Sequence, residues 1–206
     1  EAELENASGE EQRYQCIVEL CDEDGNVLPD MQYSTEGTAK AFGRFKVCCE
    51  MKIEDPFLWD IDRPYLYHCK VRLKAGETTD ETDIPYGYRT IKVDADKGFW
   101  LNGQRVKLLG TCNHQDHAGI GAALPDEVQR YRLKILKDMG CNAYRCVHHN
   151  PTPELLDLCD RMGILVMDEN RTFSTAEDAM RRLRGMVRRD RNHPCVVIYS
   201  VFNEEP

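Results

Sequence analysis

The sequence of 206 residues predicts a multidomain β plus α/β protein, in which an antiparallel β-sandwich precedes a parallel α/β unit. Residues 1–95 contain short apolar runs between turn residues, with little helical periodicity. Residues 96–206 instead alternate apolar strand-like runs with helix-like segments, the pattern of parallel βα units. The charge balance changes at the same place, from net −10 over residues 1–97 to net +1 over residues 98–206. We therefore expect two domains, 1–95 and 96–206.

The first domain is predicted from four strand-like runs and one turn. The turn DEDGN contains Gly25 and Asn26, which tolerate positive φ. Several short strands over roughly 90 residues suit one immunoglobulin-like sandwich. The runs are QRYQCIVEL, KVCCEMKI, YLYHCKVRL and YGYRTIKV.

The second domain begins with Asn102-Gly103 between apolar runs, a strong hairpin signal. Pro125 and Gly140 bound the first predicted helix. Four strands and three helices are predicted, whereas a full (β/α)₈ barrel needs about 250 residues. The pattern therefore indicates either half of a barrel or a small complete sheet. The strands are VKLLGT, CNAYRCVH, ILVMDE and CVVIYSVF, and the helices are PDEVQRYRLKILKDMG, PELLDLCDRMG and residues 174–190.

Composition excludes several classes of protein. No apolar run approaches the ~20 residues of a membrane-spanning helix, and the acidic start EAELENASGEEQ is unlike a signal peptide. The compartment, cytoplasmic or periplasmic, is left open. A net charge of −9 argues against general nucleic-acid binding. The one basic cluster is predicted to be a solvated helix face: Arg181, Arg182, Arg184, Arg188, Arg189 and Arg191.

The ten cysteines include no CxxC pair and match no structural zinc pattern. Most lie within apolar runs, where a free thiol packs as a small hydrophobe. We expect them to be mostly reduced core residues.

Polar side chains follow each of the four predicted parallel strands. Ligands bind at the C-terminal ends of the strands in α/β architectures, so these side chains should meet at one edge of the sheet. Each alone fits an ordinary polar rim, but together they predict a binding site. They are Asn113, His114, Gln115, Asp116 and His117; Arg145, His148, His149 and Asn150; Asp168, Glu169, Asn170 and Arg171; and Asn203, Glu204 and Glu205.

The second domain resembles the catalytic barrel of glycoside hydrolase family 2, the β-galactosidase, β-glucuronidase and β-mannosidase family. The resemblance lies in GFWLNGQRVKLLGTCNHQDH, LKILKDMGCNAYRCVHHNP, ELLDLCDRMGILVMDEN and RDRNHPCVVIYSVFNEEP. LWDIDRPYLYHCKVRL and YGYRTIKV resemble the immunoglobulin-like domain that precedes that barrel. The resemblance implies the first four βα units of a TIM (β/α)₈ barrel. It also implies retaining hydrolysis of terminal β-glycosidic bonds, with a carbohydrate as the partner.

The resemblance assigns roles to five residues. Glu204 matches the general acid/base, and Asn203 matches the amide that binds the sugar 2-hydroxyl. Arg145 matches the arginine that orients the nucleophile, and His148 and His114 match histidines of the sugar pocket. The family's nucleophile is a Glu after strand seven, so the resemblance implies a fragment of a longer enzyme that is inactive alone.

Two side-chain expectations concern the end of the fourth strand. Because side chains alternate along a strand, Glu204 and Glu205 should face opposite ways, with Glu205 supporting or at the surface. Val201 and Phe202 are expected to wall the Glu204 carboxyl and raise its proton affinity.

No cofactor is expected. Some family members bind Mg²⁺ through a Glu and a His after strand three, and the stretch NRTFST offers neither, so no metal is predicted there. β-Galactosidase is the first expectation for the activity, and β-glucuronidase or β-mannosidase are the alternatives.

Two other classes of function stay open. One is a metallohydrolase that uses His114, His117, His148 and His149, although residues three apart on a strand face opposite ways. The other is a non-catalytic carbohydrate-binding or inert fragment, which could form a homo-oligomer through exposed sheet edges.

Overall fold

The computed structural model describes residues 1–172 and 174–204. The chain divides into two units: residues 1–56 with 66–86, here called the β unit, and residues 57–65 with 87–206, the α/β unit. The domain boundary after residue 95 stays a prediction.

The β unit is an antiparallel sandwich of a four-stranded and a two-stranded sheet. The larger sheet has the order β3-β2-β5-β6, and the smaller one pairs β1 with β4. Cys16, Val18 and Val71 of the larger sheet form one buried cluster with Val47 of the smaller sheet. The strands are β1 (Ala2–Glu5), β2 (Gln12–Cys21), β3 (Val27–Ala39), β4 (Arg44–Val47), β5 (Tyr67–Ala75) and β6 (Thr78–Tyr86).

Two of its strands have no strong signal in the sequence, because β3 and β6 are the edges of the larger sheet. The side chains of β6 are exposed from Thr78 to Asp83, so the strand needs no alternating apolar pattern. Pro85 is tolerated because an edge strand has an unpaired side. The predicted strand KVCCEMKI was wrong beyond Val47, where β4 ends.

The predicted DEDGN turn is confirmed. The Asp22 carboxylate accepts hydrogen bonds from the backbone N–H groups of Asp24 and Asn26 at 3.0 and 2.8 Å. Gly25 has φ +84°, a conformation that side chains with a Cβ rarely adopt. The turn leads from β2 into β3.

The α/β unit begins with a three-stranded antiparallel sheet, β7 (Ile91–Asp94), β8 (Gly98–Leu101) and β9 (Gln104–Arg105). The predicted hairpin is confirmed, since Asn102 and Gly103 join β8 to β9 with φ values of +50° and +76°. Positive φ at both turn residues is typical of tight hairpins.

The rest of this unit is a parallel sheet in the order β10-β11-β12-β13. Its strands are β10 (Gly110–Asn113), β11 (Ala143–Cys146), β12 (Leu165–Glu169) and β13 (Val196–Ser200), and its helices are α1 (Asp126–Asp138), α2 (Pro153–Met162) and α3 (Glu177–Asp190). The chain thus has a partial TIM barrel in which four strands alternate with three helices. Within residues 1–172 and 174–204, every helix is too short or too polar to cross a membrane.

All four parallel strands differ by one or more residues from their predicted limits. β10 begins at Gly110, four residues after the predicted start at Val106. β13 ends at Ser200, whereas the prediction continued it through Phe202. The strand alternation used to separate Glu204 from Glu205 therefore does not reach them, and Glu205 lies outside the described residues.

Asp160 connects helix α2 to the start of β13. The Asp160 carboxylate is fully buried and accepts hydrogen bonds from His193 Nδ1 at 2.6 Å and the Cys195 backbone N–H at 2.9 Å. The Asp160 carbonyl accepts from Trp59 Nε1 at 2.7 Å. Part of the block RDRNHP is thus structural, at the sheet edge opposite the strand ends.

The basic cluster on α3 is mostly a surface feature, as predicted. Arg181 and Arg182 form exposed ion pairs with Asp178. Arg189 differs, because its guanidinium binds the buried Asp190 carboxylate and the Pro151 carbonyl.

All ten cysteines are free, but only half of them occupy the expected core positions. Five are buried core residues: Cys16, Cys21, Cys146, Cys159 and Cys195. Burial raises the pKa of each of these thiols.

Asp168 of β12 is a buried acid of unusual surroundings. Its side chain is fully buried, and no donor among the described residues reaches either carboxylate oxygen. Burial and the charge of the neighbouring Asp190 carboxylate raise the pKa of Asp168 to about 7, against the opposing charge of Arg189.

We expect Asp168→Asn to change the pH dependence of stability. In the unfolded chain this acid titrates near pH 4, so between about pH 4 and 7 the folded state binds more protons and wild-type stability falls as pH rises. Asparagine carries no charge at any pH, so the variant lacks this titration. The stability of the variant relative to wild type should therefore rise from pH 4.5 to 7 and then level off, as measured by urea unfolding. Parallel pH profiles would contradict this assignment.

We expect the glycines that end α1 and α2 to differ in their tolerance of alanine. Gly140 and Gly163 have φ of +88° and +64°, but only at Gly163 would a Cβ collide, against the Ile61 carbonyl. Gly140→Ala should cost about 1–2 kcal/mol for the left-handed backbone. Gly163→Ala should cost about 1–3 kcal/mol more for the collision. Equal losses in urea unfolding would show that the Ile61 contact relaxes freely.

Candidate active site

A buried carboxylate joins three of the predicted site residues at the C-terminal edge of the parallel sheet. Glu169, the last residue of β12, is fully buried. Its Oε2 accepts a hydrogen bond from Arg145 Nε at 2.9 Å and forms an ion pair with Arg145 Nη2 at 2.7 Å. Its Oε1 lies 2.7 Å from His148 Nδ1. Arg145 Nη2 also donates to Asn203 Oδ1 at 2.9 Å. The ends of β11, β12 and β13 thus meet through one carboxyl group.

Glu169 is charged in this network. Burial opposes its ionisation, but the hydrogen bonds from His148 and Arg145 and the charge of Arg145 outweigh burial and hold the pKa of Glu169 below its ordinary value. The same hydrogen bond raises the pKa of Arg145. The side chains of Arg145 and His148 remain 32% and 25% exposed, so both can also reach a ligand.

Asn203 is positioned by the segment that follows β12. The Asn170 side chain donates to the Val201 carbonyl at 3.0 Å, and its backbone N–H donates to the Ser200 carbonyl at 2.9 Å. The Asn203 N–H contacts the Arg171 carbonyl at 3.4 Å. These hydrogen bonds fix the chain after the end of β13 and thereby position Asn203.

The two predicted histidines of the sugar pocket lie together. The rings of His114 and His148 meet edge to face with centroids 5.7 Å apart. Arg132 of α1 holds the loop after β10 by donating to the carbonyls of His114 and Asp116 at 2.8 and 3.2 Å. His114 is exposed and His148 is half-buried.

Glu204, the predicted acid/base, is exposed, and its φ of +39° places its backbone in the left-handed region. Within the described part of the chain it has no hydrogen-bond or ion-pair partner. The side chains of Val201 and Phe202 are 46% and 39% exposed. The apolar wall expected around the Glu204 carboxyl stays a prediction. The role of Glu204 stays a prediction.

Several strand-end residues do not join this network. Asp168 faces Asp190 on the other side of β12. His149 Nδ1 lies 3.0 Å from the Val147 carbonyl, and burial lowers the pKa of His149. The Asn113 amide bonds to Thr111 within β10. Gln115, Asp116 and His117 lie in an exposed loop.

Glu169 was not among the residues to which the sequence assigned a role. It was recognised only as one of four polar residues after strand three. A usable signal was present, since alternation along β12 puts Glu169 on the same face as Met167. Met167 pairs in register with Arg145, and Arg145 was already assigned to the site.

Below this network the sheet has an apolar concave face with a cavity of about 160 Å³. Arg145 and Cys112 line it near the strand ends, and Ala143, Leu165 and Ile198 line it further down. The site therefore combines polar groups at the strand ends with an apolar floor.

The histidines expected under the metallohydrolase alternative form no cluster of metal ligands within residues 1–172 and 174–204. The group there with suitable spacing is Asp157, Asp160 and His193. It lies at the opposite edge of the sheet, and both Asp160 oxygens already accept hydrogen bonds.

Comparison with known families matches both parts of the chain. The sequence model described as "Glycosyl hydrolases family 2" matches residues 1–89. The one described as "Glycosyl hydrolases family 2, TIM barrel domain" matches residues 91–180.

Individual relatives extend over nearly the whole chain. The β-galactosidase BoGH2A of Bacteroides ovatus is 40% identical over 98% of this chain, which covers 25% of that protein. The crystal structure of a glycosyl hydrolase family 2 member from Bacteroides cellulosilyticus is similar with a TM-score of 0.86 and 34% identity, over 98% of this chain and 28% of that one. Bacteroides uniformis β-glucuronidase 2, covalently bound to cyclophellitol-6-carboxylate aziridine, gives a TM-score of 0.87 and 30% identity, over 96% and 25%.

The chain thus spans about a quarter of the length of the relatives it matches. Its two units follow the order of the two family regions, and Arg145, His148 and Glu169 of the strand-end network lie within the matched barrel region. The chain belongs to glycosyl hydrolase family 2.

Proposed function

We propose that the protein containing this sequence is a retaining β-glycosidase, and that the parallel sheet of this chain supplies one side of its active site. The observation that carries the proposal is the hydrogen-bonded group Arg145, Glu169, His148 and Asn203 at the strand ends. Such a group offers charged and neutral hydrogen-bond partners to a ligand rich in hydroxyls. We also propose that residues 96–206 form the first four βα units of the barrel, and that the boundary between the two domains lies between residues 95 and 96.

In this proposal Glu204 is the general acid/base. Retaining hydrolysis needs a second carboxyl group about 5–5.5 Å away as nucleophile, and the proposed nucleophile belongs to a later part of the protein. Arg145 would bind that nucleophile or the sugar with its exposed edge. Glu204 would first protonate the departing oxygen and then activate water.

Asn203, His148 and His114 bind the sugar in this proposal. Asn203 Nδ2 has no acceptor within the described residues, and it is therefore available to a hydroxyl group. A hydrogen bond to the 2-hydroxyl would strengthen as the sugar ring becomes oxocarbenium-like. We propose no cofactor, and assembly of the protein into homo-oligomers stays a prediction.

For the substrate we propose a terminal β-galactoside first. The B. ovatus relative, which is 40% identical, is named a β-galactosidase. A β-glucuronide is the second candidate, because a relative with a TM-score of 0.87 is named a β-glucuronidase and holds a carboxylate-bearing inhibitor. Parallel assays with the two 4-nitrophenyl glycosides decide between them.

Glu204→Gln in the longest natural protein that contains this sequence should affect poor leaving groups most. General acid catalysis contributes about 10²–10⁴-fold, so kcat/KM for an alkyl β-glycoside should fall by about that factor. A dinitrophenyl glycoside needs little protonation and should lose far less in kcat/KM.

Glu177→Gln is the matched control, because Glu177 is an exposed glutamate at the start of α3. It should leave both substrates unaffected. Equal losses on the two substrates in Glu204→Gln would remove Glu204 from the acid role.

A further inference from the structure

We propose that Glu169 is a positioning residue that decides which atoms of the site donate and which accept hydrogen bonds. Through Arg145 it turns the Asn203 amide so that Nδ2 is presented as a donor. Through its direct contact it holds His148 as the tautomer whose Nε2 is an acceptor. The identity of the ligand as a sugar rests on the proposed function, whereas the two assignments rest on geometry alone.

The orientation of Asn203 follows from its partner. A guanidinium group has five donors and no acceptor, so the atom that lies 2.9 Å from Arg145 Nη2 must be the amide oxygen. The amide nitrogen then points away from Arg145. The amide could turn over only if Arg145 moved.

Arg145 is prevented from moving by Glu169. Two of its nitrogens, Nε and Nη2, bind the same oxygen, Glu169 Oε2. That oxygen belongs to a side chain with no solvent exposure. A buried carboxylate that lost this partner would be left with an uncompensated charge, which is costly.

The tautomer of His148 follows from the same carboxylate. A charged carboxylate only accepts hydrogen bonds, and the environment of Glu169 favours the charged form. The hydrogen between Glu169 Oε1 and His148 Nδ1, 2.7 Å apart, therefore belongs to Nδ1. In the neutral ring Nε2 then carries a lone pair.

The resulting pattern selects the chemistry of the ligand. A hydroxyl group can accept from Asn203 Nδ2 and can donate to His148 Nε2. An ether, a fluorine or a carboxylate can accept but cannot donate to Nε2. We therefore expect a free hydroxyl of the substrate at His148.

Glu169→Gln should reverse the tautomer of His148. Because Arg145 offers only donors, the glutamine oxygen must face it, which turns the glutamine NH₂ towards His148 Nδ1. Nδ1 must then accept, and the ring hydrogen moves to Nε2. The substitution removes one charge while keeping the shape of the side chain.

The first test is ¹⁵N NMR of the protein labelled at histidine, with the His148 signals identified by His148→Gln. At a pH where the ring is neutral, wild type should show a protonated, pyrrole-type Nδ1 and a pyridine-type Nε2. Glu169→Gln should show the reverse. A wild-type ring protonated at Nε2, or the same tautomer in both proteins, would overturn the proposal. Should Glu169→Gln fail to fold, the wild-type spectrum alone decides.

Asp160→Asn is the matched control, since the buried Asp160 carboxylate likewise pairs with a histidine, His193, at 2.6 Å. It also removes one buried negative charge, but at the opposite edge of the sheet. It should change the His193 signals and leave those of His148 unchanged.

The second test is kinetic and uses the longest natural protein that contains this sequence. Glycosides in which each hydroxyl in turn is replaced by fluorine are compared for wild type and Glu169→Gln. In wild type the replacement at the hydroxyl facing His148 should reduce kcat/KM by about ten-fold or more, because an acceptor loses its donor. In Glu169→Gln that loss should shrink at this one position, since Nε2 has become a donor.

A merely structural role for Glu169 would lower kcat/KM equally for all these glycosides, and that outcome would also overturn the proposal. The two proposals fail separately. Equal losses of kcat/KM on the two substrates in Glu204→Gln would remove the proposed acid/base but leave the tautomer of His148 as inferred. An unchanged tautomer would remove the role of Glu169 and leave Glu204 untouched.

Discussion

The site depends on one electrostatic constraint, which is that a carboxylate without solvent exposure needs partners for both of its oxygens. Glu169 satisfies this need with Arg145 on one oxygen and His148 on the other. The polar atoms available to a ligand are those of Arg145 and His148 that do not bind Glu169. The chemistry presented at the strand ends is therefore a consequence of how a buried charge is stabilised.

The sequence blocks that carry the family resemblance serve two different physical purposes. RCVHH and NE bring Arg145, His148 and Asn203 to the C-terminal edge of the sheet. RDRNHP brings His193 to Asp160 at the opposite edge, where the contact fastens α2 to the start of β13. Similarity in the first kind of block concerns the ligand, whereas similarity in the second concerns stability.

The sequence predicted what local rules determine. Caps, turns and apolar runs identified the three helices, the Asn102-Gly103 hairpin and the parallel strands, because each depends on residues close in sequence. The edge strand β6 escaped because its side chains are exposed from Thr78 to Asp83 and need no apolar pattern. The edge strand β3 escaped because its partly buried face includes Thr35 and Gly37, which give no apolar signal. The resemblance named Arg145, His148 and Asn203 as site residues, but it did not name Glu169, which binds the first two directly. Glu169 matters because it lies where the ends of three strands meet. No single segment of the sequence shows that arrangement.

The adjacency of Asp168 and Glu169 at the end of β12 has a consequence for strand pairing. The two acids face opposite sides of the sheet, one with a raised pKa beside Asp190 and one charged against Arg145. A slip of β12 by one residue would exchange them. The guanidinium would then face a shorter acid, and a second full negative charge would be driven against Asp190. A shift of β12 by one residue would thus be destabilising on both faces of the sheet, so the charges of these neighbouring acids help to fix the register of the strand.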